Sequence, residues 1–159
     1  MSKAVILFLL IFSLVILGCQ QKRKFLGVGD NAPGFSLSDL DGNTVSLADL
    51  LKGKEVILSF WASWCPECRQ QMPVLNRFAR EYGNKIEIIG INVQEPKNVA
   101  ASFVKEKGLE FKILLDSKGQ VSSAYGVVGV PTNVLINKQG LIKILNLDVR
   151  GMESYFRKE

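Results

Sequence analysis

The sequence predicts one α/β domain: a sheet of mixed direction with helices on both faces. Three observations carry this. Glu55–Trp61, Ile86–Val93 and Phe111–Leu115 are apolar runs without the polar alternation of half-exposed strands, and so read as central strands buried on both faces. Helical patterns separate these runs. Two further strand-like runs, joined by Lys138-Gln139-Gly140, close the chain as a hairpin. Strands alternating with helices and then a hairpin make a mixed sheet.

The chain opens with Lys3 and an apolar stretch over residues 4–17, followed by Gly18-Cys19. A charged start, a short apolar run and a small residue before a cut are the parts of a secretory signal. The stretch is shorter than the about 20 residues a membrane span requires. Ile16-Leu17-Gly18-Cys19 resembles a bacterial lipobox, with Leu17 a departure from the usual small residue. On that reading residues 1–18 are a lipoprotein signal, Cys19 is the lipidated first residue, 19–28 is a tether and 29–159 is the domain. The alternative is an uncleaved signal anchor with Cys19 a free thiol. Both readings place the domain outside the cytoplasm, tethered to a membrane. Lys22, Arg23 and Lys24 suit a solvated spacer near anionic headgroups.

After the tether, Phe35 and Leu37 alternate with serines as in a half-buried strand, Asp41-Gly42-Asn43 marks a turn, and Thr44-Val45-Ser46 returns. Ala48–Leu51 is a helical turn before Gly53. A longer helix starts at Pro66 and stops at Gly83. Asn98–Lys107 is expected as an amphipathic helix with Val99, Phe103 and Val104 on one face, and Gln120–Tyr125 as a short one. Asn133–Asn137 and Leu141–Leu147 are the closing strands, and Met152–Arg157 a short terminal helix.

Composition narrows the chemistry. Histidine is absent, which excludes a Ser-His-Asp triad, a Cys-His protease and any His-ligated metal site. Three cysteines are too few for a disulfide-stapled scaffold. The net charge of +5 is scattered, with no basic stripe interleaved with aromatics, so nucleic acid is not an expected partner. A structural zinc site would need two more ligands beside Cys65 and Cys68, and only Cys19 remains.

Trp64-Cys65-Pro66-Glu67-Cys68-Arg69 follows the first central strand. Cysteines three residues apart at a helix start are within disulfide reach. The unpaired N–H groups and partial positive charge of a helix N-terminus hold Cys65 as a thiolate more readily than a free cysteine. Pro66 takes the first helical position, where its missing N–H costs nothing. Cys65 then attacks a substrate disulfide and Cys68 resolves the mixed disulfide. Glu67, between the cysteines, opposes the thiolate and makes the couple more reducing. An exposed carboxylate of little effect is the alternative.

With these residues in view, the chain resembles the thioredoxin superfamily, in particular its membrane-tethered TlpA/ResA-type thiol–disulfide oxidoreductases, over about residues 29–147. Phe60–Cys68 with Pro73 is the most specific match. Gly129-Val130-Pro131-Thr132 is similar to the family's cis-proline loop. The resemblance implies that Val130 presents backbone groups to an extended substrate, with Trp64, Pro66, Glu67 and Pro131 beside it. Gly29–Phe35 is an opening shared with peroxiredoxins, and Glu95 to about Gln120 is similar to the subgroup's central helix–strand insertion. Thioredoxins carry a buried Asp in the strand before the motif, where Ser59 stands here. That makes Glu95 the expected manager of the Cys68 proton. A surface glutamate before Pro96 is the alternative.

The resemblance implies an extracytoplasmic reductant of protein disulfides. Apocytochrome c is the type of substrate and a membrane thiol–disulfide transporter the donor, with no bound cofactor. A disulfide-forming oxidant shares the fold and motif. A Cu(I)- or thiol-binding protein is disfavoured by the lack of histidine and of a Met-rich segment. A peroxiredoxin-type peroxidase is disfavoured because Leu58 and Ala62 stand where its Pro and Thr/Ser should be.

Overall fold

The computed structural model describes residues 26–152. The expected signal, Cys19 as the expected lipidation site, most of the expected tether and the expected terminal helix beyond Met152 lie outside the described residues. Seven strands form one sheet: β1 (Ser36–Asp39), β2 (Thr44–Ser46), β3 (Glu55–Trp61), β4 (Ile86–Val93), β5 (Lys112–Asp116), β6 (Thr132–Ile136) and β7 (Ile142–Leu145), in the order β2-β1-β5-β4-β3-β6-β7. β3, β4 and β5 are parallel to one another, and every other pairing is antiparallel. The entry segment is tied to the far edge, where Gly29 donates to the Ile142 carbonyl (2.8 Å) and Ile142 to that of Asp30 (2.9 Å).

The period of two in β3 and β4 divides the core in two. Ile57, Trp61, Ile86 and Ile88 face the helices α2 (Pro66–Tyr82) and α3 (Lys97–Lys107). Val56, Leu58, Phe60, Ile89 and Ile91 face the short helices α1 (Leu47–Leu50) and α4 (Gln120–Ala124). Gly90 belongs to the first series, and the reason is space. A Cβ there would lie 2.6 Å from Ile113 Cδ1 and 3.0 Å from Trp61 Nε1, so only glycine lets these side chains settle on the sheet.

Boundaries follow local chemistry. Cys65 is extended (φ −82°, ψ 115°) and caps α2, with Pro66 next. The helix runs unbroken through Pro73 to Tyr82, and Lys54 Nζ donates to the Gly83 carbonyl at its end (2.5 Å). Gly108 ends α3 in the left-handed conformation (φ 59°).

The hairpin, the three central runs and the closing strands appear where the patterns put them, within two residues. One helix face differs from the expectation. In α3 Phe103 is buried and Val104 packs partly buried against the same core, as expected, but Ala100 completes the face and Val99 is exposed. The helix starts one residue earlier than expected, and Ala100 lies one turn before Phe103, so the small residue and not Val99 meets the sheet.

Candidate active site

The strand β3 delivers its C-terminal end, Trp61, to the loop Ala62-Ser63-Trp64, and α2 begins at once. This brings Cys65 and Cys68 together in a disulfide, with Cα atoms 5.2 Å apart. Cys68 donates its backbone N–H to Cys65 Sγ (3.1 Å), so the sulfur itself satisfies one orphan donor of the helix start. The same donor stabilises negative charge on that sulfur once the bond is reduced. Cys65 keeps a sliver of exposure (3%) and Cys68 has none. The asymmetry leaves Cys65 the more accessible sulfur, with Cys68 sheltered beneath it.

The Val130–Pro131 peptide bond is cis, and the Val130 carbonyl lies 3.5 Å from Cys65 Sγ. A reduced Cys65 can donate its proton to that oxygen. Thr132 Oγ1 donates to the Gly129 carbonyl (2.7 Å) and closes the loop on itself. The two expected tryptophans part company. Trp61 is fully buried against Phe103 (ring centroids 5.0 Å apart), whereas Trp64 is 71% exposed. Trp64, Val127, Val128 and Val130 line a groove beside the disulfide. Pro66 and Glu67 are exposed on the first turn of α2.

Glu95 is buried, which corrects the surface-loop alternative. Its carboxylate accepts from Ser63 N (2.7 Å), Ser63 Oγ (2.5 Å) and Asn92 Nδ2 (2.6 Å). Three donors therefore satisfy the buried carboxylate. They also pin the loop two residues before Cys65. Arg69 extends the same clamp: it donates to the Ser63 carbonyl (3.4 Å), pairs with Glu106 (3.5 Å) and lies over the Phe103 ring of α3.

A second polar cluster went unread in the sequence. Ser59 and Asn133 are register partners on β3 and β6, and Gln71 of α2 joins them. Gln71 Nε2 donates to Ser59 Oγ (3.3 Å) and its Oε1 accepts from Asn133 Nδ2 (3.2 Å), which also reaches the Leu147 carbonyl (3.1 Å). All three residues are buried and uncharged. A signal did exist: Ser59, Asn92 and Asn133 occupy inward phases of strands whose other inward residues are apolar.

Comparisons with known proteins agree with this geometry. A profile of the AhpC/TSA family matches residues 28–144. The chain is 34% identical over 148 residues to the thiol-disulfide oxidoreductase ResA of Bacillus cereus, covering 89% of this chain and 83% of the relative. It is 42% identical over 123 residues to ResA of Geobacillus thermodenitrificans, covering 77% and 70%. The solution structure of a thiol:disulfide interchange protein from a Bacteroides species superposes with a TM-score of 0.77 at 27% identity, covering 85% of this chain and 91% of that one. The chain therefore belongs to the AhpC/TSA family, has the thioredoxin-like fold, and is a thiol–disulfide oxidoreductase.

Proposed function

We propose that this oxidoreductase works outside the cytoplasm, anchored at the membrane, and reduces disulfides in protein substrates of the cytochrome c maturation type. One observation carries the protein-disulfide part: the least-sheltered sulfur of the pair stands at a helix N-terminus beside a cis-proline loop whose backbone faces it. An extended polypeptide can lie along Val130 while its disulfide meets Cys65.

The Cys65 thiolate attacks one substrate sulfur and the substrate S–S bond breaks, leaving a mixed disulfide and a free substrate thiolate. Cys68 loses its proton and attacks Cys65. The second substrate thiolate departs, so the substrate gains two electrons and the protein holds its own disulfide. A membrane thiol–disulfide donor then restores the dithiol. Glu95 takes the role of proton manager for Cys68, supported by its burial and its tie to the Ser63 loop. Lipidation of Cys19 would supply the anchor. No helix among the described residues is long and apolar enough to cross a membrane.

Trapping free thiols in intact cells, with an alkylating agent that does not cross the membrane, tests direction and location together. The expected result is a mostly reduced Cys65–Cys68 pair that is modified from outside. Cys68→Ala should then accumulate mixed disulfides with c-type apocytochromes. A mostly oxidised pair with substrates gaining disulfides would assign the opposite direction. An acyl group on Cys19, seen by mass spectrometry of the mature chain and lost in Cys19→Ala, checks the anchor.

A further inference from the structure

The strand β4 ends at Val93, the last residue paired with β5, opposite Asp116. Regular alternation would fix the faces of the next two residues. Ile88, Gly90 and Asn92 share the face under α2 and α3, so residue 94 would join them. Residue 95 would join Ile89, Ile91 and Val93 on the other face. The structure has the reverse. Glu95 is 7% exposed and meets the Asn92 amide (2.6 Å) and Ser63 on the α2 side. Gln94 is exposed, and its side chain lies over Gly119 at the start of α4, where an added Cβ would stand 2.8 Å from Gln94 Nε2.

One backbone angle makes the exchange. Gln94 is left-handed (φ 55°), a conformation rare for side chains other than Gly, Asn and Asp. Its N–H donates to the Asp116 carbonyl (3.1 Å), which also accepts from Gly119 N (3.0 Å), so the turn is held to the end of β5. Pro96 then disfavours the helical region for Glu95. Strain of this kind persists only where the surroundings impose it, and it collects at functional sites.

We propose that Gln94 is a positioning residue for disulfide exchange: its left-handed backbone swaps the faces of residues 94 and 95 and so aims the Glu95 carboxylate at the Ser63 loop beside the cysteines. The proposal rests on the reading of Glu95 as manager of the Cys68 proton. It adds that the backbone at 94, and not its side chain, is what the Cys68 step requires. Gly and Asn enter the left-handed region readily, Ala less so and β-branched Val least.

The test uses the full-length reduced chain in detergent and a peptide whose cysteine is joined to thionitrobenzoate. Attack by Cys65 on the peptide sulfur frees coloured thionitrobenzoate. Attack by Cys68 on Cys65 then frees the peptide thiol and leaves the protein disulfide. The adduct, counted by mass spectrometry after acid quenching, times this second step. Gln94→Gly and Gln94→Asn should release peptide within about two-fold of the native rate and Gln94→Val about ten-fold or more slowly, with the first step little changed. Gln94→Ala should lie between, and it carries the same comparison if Gln94→Val does not fold. Hydrogen exchange of the Ser63 amide should quicken in the slow variants while the amides of β3 hold. In a Glu95→Gln background Gln94→Val should add almost nothing. Native release from Gln94→Val and Gln94→Ala, equal slowing of both steps, or an undiminished Val effect in Glu95→Gln would overturn the assignment and leave Glu95 its role. Native release from Glu95→Gln alone would instead overturn the role of Glu95, and this assignment with it.

Discussion

The two faces of the sheet are packed by different rules. On the face under α1 and α4, buried polar groups are few and satisfied. The Asp116 carboxylate accepts from the backbone of Val121 (3.2 Å) and Ser122 (2.8 Å) at the start of α4, and Tyr125 Oη donates to the Pro33 carbonyl (2.9 Å). On the face under α2 and α3, three buried polar atoms lack partners among the described residues: Trp61 Nε1, Asn92 Oδ1 and Asn133 Oδ1. All three residues lie near the C-terminal end of β3 or directly across from it, where the cysteines are. An ordinary core satisfies such groups or omits them. Their concentration around the disulfide teaches that one face stabilises the fold, while the other gives up some packing to hold reactive sulfurs in place.

Substitutions can break that division. Cys65→Ser removes the nucleophile and should slow exchange by roughly a thousand-fold or more with little loss of stability. An equal loss of activity and of folded protein would merge the two faces. Leu58→Ala, on the other face, should do the reverse. It opens a cavity and should cost about 2–5 kcal/mol in denaturant unfolding while the reduction potential stays put.

Glu95→Gln keeps the shape and removes the charge. Release of the mixed disulfide should slow by about 100-fold while the initial attack by Cys65 is little changed. An equal slowing of both steps would make Glu95 only the clamp of Ser63. Tyr125→Phe, on the stabilising face, should cost about 1 kcal/mol through the lost bond to Pro33. Burial pushes the Tyr125 phenol above its usual range. The unfolded chain then ionises first, so this part of the stability is present below about pH 10 and declines above it. The Phe variant should not show that decline. The smallest effect is expected from Glu67→Gln. Removing an exposed carboxylate beside the thiolate favours the reduced form and should raise the potential by about 5–20 mV.

The central strands and the cysteine motif are the legible parts. Glu55–Trp61 and Ile86–Val93 announce themselves because strands buried on both faces need unbroken apolar runs, and the ends of both match the structure. The motif Cys65-Pro66-Glu67-Cys68 was legible because its chemistry is local, set by a helix start. The cis bond at Pro131 came through resemblance, since nothing in a lone X–Pro pair dictates it. Gln71 and Asn133 stayed hidden. A glutamine on a helix looks like a surface residue until tertiary packing sets Ser59 and Asn133 in register beneath it. Val99 was misplaced for a related reason: periodicity gives a stripe, and the neighbour decides which edge of it is covered.

The measurement that bears most directly on the central claim is the reduction potential of the Cys65–Cys68 couple in the purified chain. The account predicts a value near that of thioredoxin, about −270 mV, as a dedicated reductant requires. A value near −120 mV, that of a strong periplasmic oxidant, would contradict it and make disulfide formation the reaction this site serves.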